Sequence, residues 1–104
     1  MENETINQIR DNALFYSEQS SQKEFFTSVL IYSEILELNE LIPEKLLNQF
    51  KKNLLKIKKL NKGLVFEIEH PDLCVRGPVC KNFLDKALRS HLELLEEIYN
   101  GISR

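Results

Sequence analysis

The sequence predicts a mainly α, four-helix bundle-like domain over residues 1–104, with a short β-hairpin or ordered loop between helices three and four. Three observations carry that expectation. Apolar residues recur at spacings of three and four along four long stretches. The three glycines and three prolines all fall at or near the ends of those stretches. At 104 residues the chain has the length of one domain, long enough to bury a core without a metal or a disulfide.

The first helix is expected over residues 3–17, where Ile6, Ile9, Ala13 and Tyr16 form one stripe. The polar cluster SEQSS, residues 17–21, ends it. Ser21 and Glu24 fit a capping box that opens the next helix. That second helix, residues 22–41, carries two stripes. Phe25, Val29, Tyr32 and Leu36 share one side, while Ile31, Ile35, Leu38 and Ile42 lie nearly opposite. A helix apolar on two sides is either central in a core or offers a surface to a partner.

Pro43 suits the first turn of a third helix over residues 43–62. Leu46, Leu47, Phe50, Leu54, Ile57 and Leu60 make its apolar arc, and Gly63 is its expected stop. The stretch FEIE, residues 66–69, alternates as a half-buried strand does. His70-Pro71-Asp72 reads as a turn and residues 73–75 as a short return strand. In the last helix, residues 79–100, Phe83, Leu84, Ala87, Leu88, Leu92, Leu94, Leu95, Ile98 and Tyr99 occupy one half of the wheel, and Gly101 is expected to end it.

A formal net charge of −2 conceals a strong pattern. Residues 1–44 hold nine acids and two bases, a net of −7. Residues 45–62 hold seven lysines and no acid, a net of +7. Residues 63–104 hold seven acids and five bases, a net of −2. Lysine neutralises phosphate, so Lys51, Lys52, Lys56, Lys58, Lys59 and Lys62 make nucleic acid one partner class. Yet residues 45–62 contain no arginine to read guanine, and their one aromatic, Phe50, sits on the apolar arc. An acidic protein surface fits the same lysines without those requirements. So does a solvated helix face balanced by Glu34, Glu37, Glu40 and Glu44.

The order of a basic helix, the stretch NKGLVFEIE and a short return strand resembles a winged helix-turn-helix over residues 38–76. That resemblance implies that helix three would enter a groove and that the hairpin would act as the wing.

His70, Cys74, Cys80 and His91 form the pattern H-x3-C-x5-C-x10-H. Thiolates and imidazoles suit tetrahedral zinc, but the tight C-x2-C knuckle is missing, so ordinary thiols and histidines are the expected reading. Residues 69–80, EHPDLCVRGPVC, are the least helix-like in the chain, and Arg76 there is a candidate anchor for a partner. The chain has no Gly-rich phosphate loop, H-E-x-x-H, G-x-S-x-G or EF-hand loop, and no pair of E-x-x-H motifs. No enzyme and no cofactor are therefore expected. The polar, acidic start lacks an apolar leader, so a cytoplasmic setting with reduced cysteines is expected.

These readings converge on a small non-catalytic protein-binding module of inhibitor, immunity, antagonist or chaperone type. Its partner is another protein or a second copy as a homodimer, not a membrane. The expected contacts are Ile31, Ile35, Leu38 and Ile42 together with Lys52, Lys56, Lys59 and Arg76. The alternative is a winged-helix-like protein that binds nucleic acid through the lysine-rich third helix.

Overall fold

The computed structural model describes residues 2–70, 72 and 79–102. Four helices dominate them: α1 (Glu2–Ser17), α2 (Gln22–Leu38), α3 (Glu44–Glu69) and α4 (Val79–Ile102). The described residues contain no strand. Paired contacts set the helix directions. Asn7 meets Tyr99, Arg10 meets Glu96 and Ser17 meets Arg89, so α1 runs antiparallel to α4. Gln22 meets Lys81 and Ser33 meets His91, so α2 runs parallel to it. Phe50 meets His91 and Gly63 meets Cys80, so α3 is antiparallel again. Two helical hairpins, α1–α2 and α3–α4, thus join across α2 and α4.

The core follows the expected stripes. Ile6 and Ala13 are buried from α1, and Phe25, Val29, Tyr32 and Leu36 from α2. Phe50 and Ile57 are buried from α3, and Leu84, Leu88, Leu92, Leu95 and Ile98 from α4. Each of the buried Val, Leu, Ile and Phe side chains contributes about 1.5–3 kcal/mol through removal from water.

A polar cluster sits beside this core. Arg10 donates from Nε and Nη2 to the Glu96 carboxylate at 2.6–2.9 Å. The Tyr32 hydroxyl donates to Glu96 Oε2 at 2.9 Å. The Arg10 guanidinium also lies 4.5 Å over the Tyr99 ring, whose hydroxyl bonds Asn7 Oδ1. Three helices therefore converge on one carboxylate.

Several boundaries differ from the expectation, each for a local reason. Residues 66–69 are helical, not a strand, because the heptad-like seam Phe50, Leu54, Ile57, Asn61, Leu64 and Ile68 continues past Gly63. The alternation of FEIE is incidental to that longer period. The return strand expected at 73–75 lies outside the described residues. Gly63 does not stop α3. It lies where the helix passes α4, and a Cβ there would come within 2.8 Å of Cys80 Sγ. The bare Cα makes room for the Cys80 side chain.

α2 ends at Leu38, not near 41. Glu40 takes a left-handed φ of 54°, and the Leu41 and Glu40 amides return to the Leu36 and Glu37 carbonyls. This is the Schellman closure, with Glu40 in the place glycine usually takes. Ser21 is the N-cap of α2, but its hydroxyl makes no capping bond, so the expected box does not close. Pro43 stands as the extended N-cap of α3, one residue before its first turn. Gly101 remains helical inside α4.

The Gly63–Cys80 contact has a testable sign. Gly63→Ala gains helix propensity but displaces Sγ, and is expected to lower stability by about 1 kcal/mol. With Cys80→Ala the obstacle is gone, and the same change should raise stability by about 0.5–1 kcal/mol. Denaturant melts of the four proteins in this cycle measure the reversal.

Candidate functional site

The outward face of α3 gathers the basic residues. Lys45, Lys51, Lys52, Lys56, Lys58, Lys59 and Lys62 are all exposed. Lys52, Lys59 and Phe66, at spacings of seven, run along the side opposite the buried Phe50 and Ile57. Lys51, Leu55, Lys58 and Lys62, at spacings of four, three and four, flank that line. Leu55 is 57% exposed and Phe66 48%, so large apolar side chains stand among the charges.

The expected balancing by acids does not occur at contact distance. Among the described residues the ion pairs are Arg10–Glu96 and Arg89–Asp85, and none involves an α3 lysine. Glu34, Glu37, Glu40 and Glu44 are exposed and likewise make no ion pair among the described residues. Lysines three and four apart on one helix repel by a few tenths of a kcal/mol per pair, so the face carries a small standing cost.

The second stripe of α2 is divided. Ile31 is 44% exposed and Leu38 70%, while Ile35 is half-buried and Ile42 packs against the core. Arg76, the candidate anchor, lies outside the described residues.

The His/Cys group does not come together. His70 caps α3 at the surface, its ring 4.6 Å from that of Phe66. Cys80 lies at the start of α4 against Gly63, while His91 is eleven positions further along, about 16 Å at 1.5 Å per residue. Tetrahedral ligands must lie within about 4 Å of one another, so these two cannot share an ion. Cys74 lies outside the described residues, and no three His, Cys, Asp or Glu side chains among those described could hold a metal.

His91 is instead a core residue. It is fully buried between Ser33 of α2 and the Phe50 ring of α3. Ser33 Oγ lies 2.8 Å from the Val29 carbonyl and 2.9 Å from His91 Nε2. The single hydroxyl proton goes to the carbonyl, so Nε2–H donates to Ser33. Nδ1 is then a bare acceptor, buried with no partner. Burial holds the His91 pKa down to about 4. A serine beside a histidine suggests nucleophilic chemistry, but both are sealed from substrate, with Ser33 1% exposed.

Sequence reasoning did not single out Arg10, Glu96 or Ser33. The hydrogen bonds to Glu96 raise the pKa of Arg10, and burial together with the bond to Glu96 raises that of Tyr32. A lone arginine in an acidic segment was the one available signal for this cluster. An open groove of about 940 Å³ lies along α4 between α1 and the start of α3. Lys45, Arg89, Glu93 and Glu97 line it with both signs of charge, so it selects no ligand class. No helix among the described residues is long and apolar enough to cross a membrane. No family model, no curated protein and no solved structure matches this chain.

Two measurements probe the buried polar groups. The unfolded chain protonates His91 at about 6.5, the folded chain only at about 4. Stability is therefore greatest above pH 6.5 and falls by about 1.4 kcal/mol per pH unit down to about pH 4, where this loss levels off. His91→Gln should remove one proton's worth of that slope in a series of chemical melts. Tyr32→Phe should cost about 1–2 kcal/mol by leaving Glu96 one donor short. Glu96→Ala should cost more, about 2–3 kcal/mol, because the Tyr32 hydroxyl and Arg10 both lose their acceptor.

Proposed function

We propose that this chain is a non-catalytic protein-binding module, of inhibitor, immunity, antagonist or chaperone type, that engages an acidic partner through the exposed face of α3. The carrying observation is that seven exposed lysines on α3 make no ion pair among the described residues. Leu55 and Phe66 stand exposed on the same face. Apolar anchors ringed by like charge suit a protein surface, where the anchors supply affinity and the charges supply orientation. The helices, read as one bundle-like domain over residues 1–104, hold that face in place. The composition supports a cytoplasmic setting and no cofactor.

Nucleic acid is the second reading, and the lysines favour it too. It loses its wing-based form, since residues 66–69 belong to α3. What remains is phosphate contact alone, which is sequence-independent and steeply salt-dependent.

Fluorescence anisotropy separates the two. The labelled ligands are duplex DNA, single-stranded RNA and a helical acidic peptide bearing leucines at a spacing of three and four. The peptide is expected to bind at physiological salt. Lys52→Glu/Lys56→Glu/Lys59→Glu should abolish that binding, and Leu55→Ala should weaken it about tenfold. Nucleic acid that binds more tightly than the peptide, loses affinity steeply with salt and ignores Leu55→Ala would replace the proposal with the phosphate reading.

A further inference from the structure

The outward face of α2 is the counterpart of the α3 face in both charge and spacing. Ile31, Glu34 and Leu38 lie at spacings of three and four, with Glu37 beside them, and all four are exposed. On α3, Lys51, Leu55, Lys58 and Lys62 follow the same period with opposite charge. Matching periods of three and four let two helices lie along one another with their apolar residues in register. The distance from Ile31 to Leu38 and that from Leu55 to Lys62 are both seven residues, about 10 Å along a helix.

These two faces cannot meet within one copy. The α2 face points away from the buried Phe25, Val29 and Leu36, and the α3 face points away from the buried Phe50 and Ile57. Both stripes that point inward are spent on the same core. Each charged face is therefore directed outward, and its complement is on the same chain but out of reach. A net charge of only −2 leaves little long-range repulsion between copies.

We infer that the α3 face of one copy docks on the α2 face of a second copy of this chain. Leu55 seats against Ile31 and Leu38, and Lys51, Lys52, Lys58 and Lys59 face Glu34 and Glu37. The contact joins two different faces of the chain. It closes as a two-fold dimer if both copies make it at once, and otherwise extends into a chain. This inference rests on the reading of α3 as a protein-docking face and names the chain itself as one occupant. Self-association and the binding of any other acidic partner then compete for the same lysines.

The experiment is sedimentation velocity on the full chain across a concentration series, at low and high salt. Wild type is expected to associate reversibly, more weakly as salt rises. Lys52→Glu/Lys59→Glu and Glu34→Lys/Glu37→Lys are each expected to weaken self-association about tenfold or more. An equimolar mixture of the two variants restores it, as 1:1 heteromers. Lys81→Glu/Lys86→Glu, on exposed α4 positions, makes the same charge change away from α3 and leaves association as in wild type. Circular dichroism confirms that each variant is folded, and Leu38→Ala, which removes an exposed anchor without altering charge, provides a second check through weaker association. Wild type that stays monomeric at high concentration and low salt overturns the inference, as does a mixture that fails to associate. If the acidic peptide still binds such a monomer, only the self-docking falls and the reading of α3 stands.

Discussion

The Glu96 carboxylate is shared between the Arg10 guanidinium and the Tyr32 hydroxyl, and this shared charge sets where three helices lie. A partly buried carboxylate is costly without donors, and its donors come from α1 and α2 while it stands on α4. Sliding any of the three by one turn would strand a charge beside the core. Apolar stripes alone tolerate such slides, because one leucine replaces another. The polar cluster therefore selects the register that the hydrophobic effect only permits. His91 does the same from the other side of α4, through Ser33 of α2 and the ring of Phe50.

Once that register is set, the outward faces follow. With Phe50 and Ile57 held against α4, the lysines of α3 can only point into solvent. With Phe25, Val29 and Leu36 held inside, Glu34 and Leu38 can only point outward. A helix whose seven lysines make no ion pair among the described residues is held by its seam and weakened by its surface. The sequence keeps that arrangement from Lys45 to Lys62, where acids at i+4 would have relieved it. This pattern is what sets the face apart from an ordinary solvated helix, on which the two signs are interspersed.

Most of the core was legible from spacing. The stripe Phe25, Val29, Tyr32, Leu36 is buried throughout, and so are Leu84, Leu88, Leu92, Leu94, Leu95 and Ile98 of the α4 arc, while Ala87 and Tyr99 are half-buried and Phe83 at its start is 51% exposed. What failed was punctuation. Gly63 was read as a stop because glycine usually is one, and only the position of Cys80 on another helix explains it. FEIE was read as a strand because it alternates polar and apolar just after a glycine taken as the helix stop. Glu40 closes α2 in a left-handed conformation that its residue type gives no reason to expect. The lysine face was visible as composition, but its lack of counter-charges depends on which way α2 points. The His/Cys grouping was a grouping in sequence alone, since Cys80 and His91 stand about three turns apart on one helix.

Among the described residues, the meeting of Gly63 with Cys80 also lies close to where α3 runs past the start of α4. Cys80 is the second residue of α4, and α2 begins at the level of Lys81. Leu64 still packs against the core, but the last turn of α3, from Val65 onward, extends past both, and Ile68 at the end of the seam is 69% exposed. Val65, Phe66 and Ile68 are all exposed, so among the described residues that stretch buries little apolar surface. Its backbone amides exchange with solvent through local fraying, at a free energy well below that of global unfolding, while those around Phe50 and Ile57 wait for the whole core to come apart. One continuous helix thus contains two dynamic regimes, and the boundary between them lies just beyond the glycine that lets α4 come close.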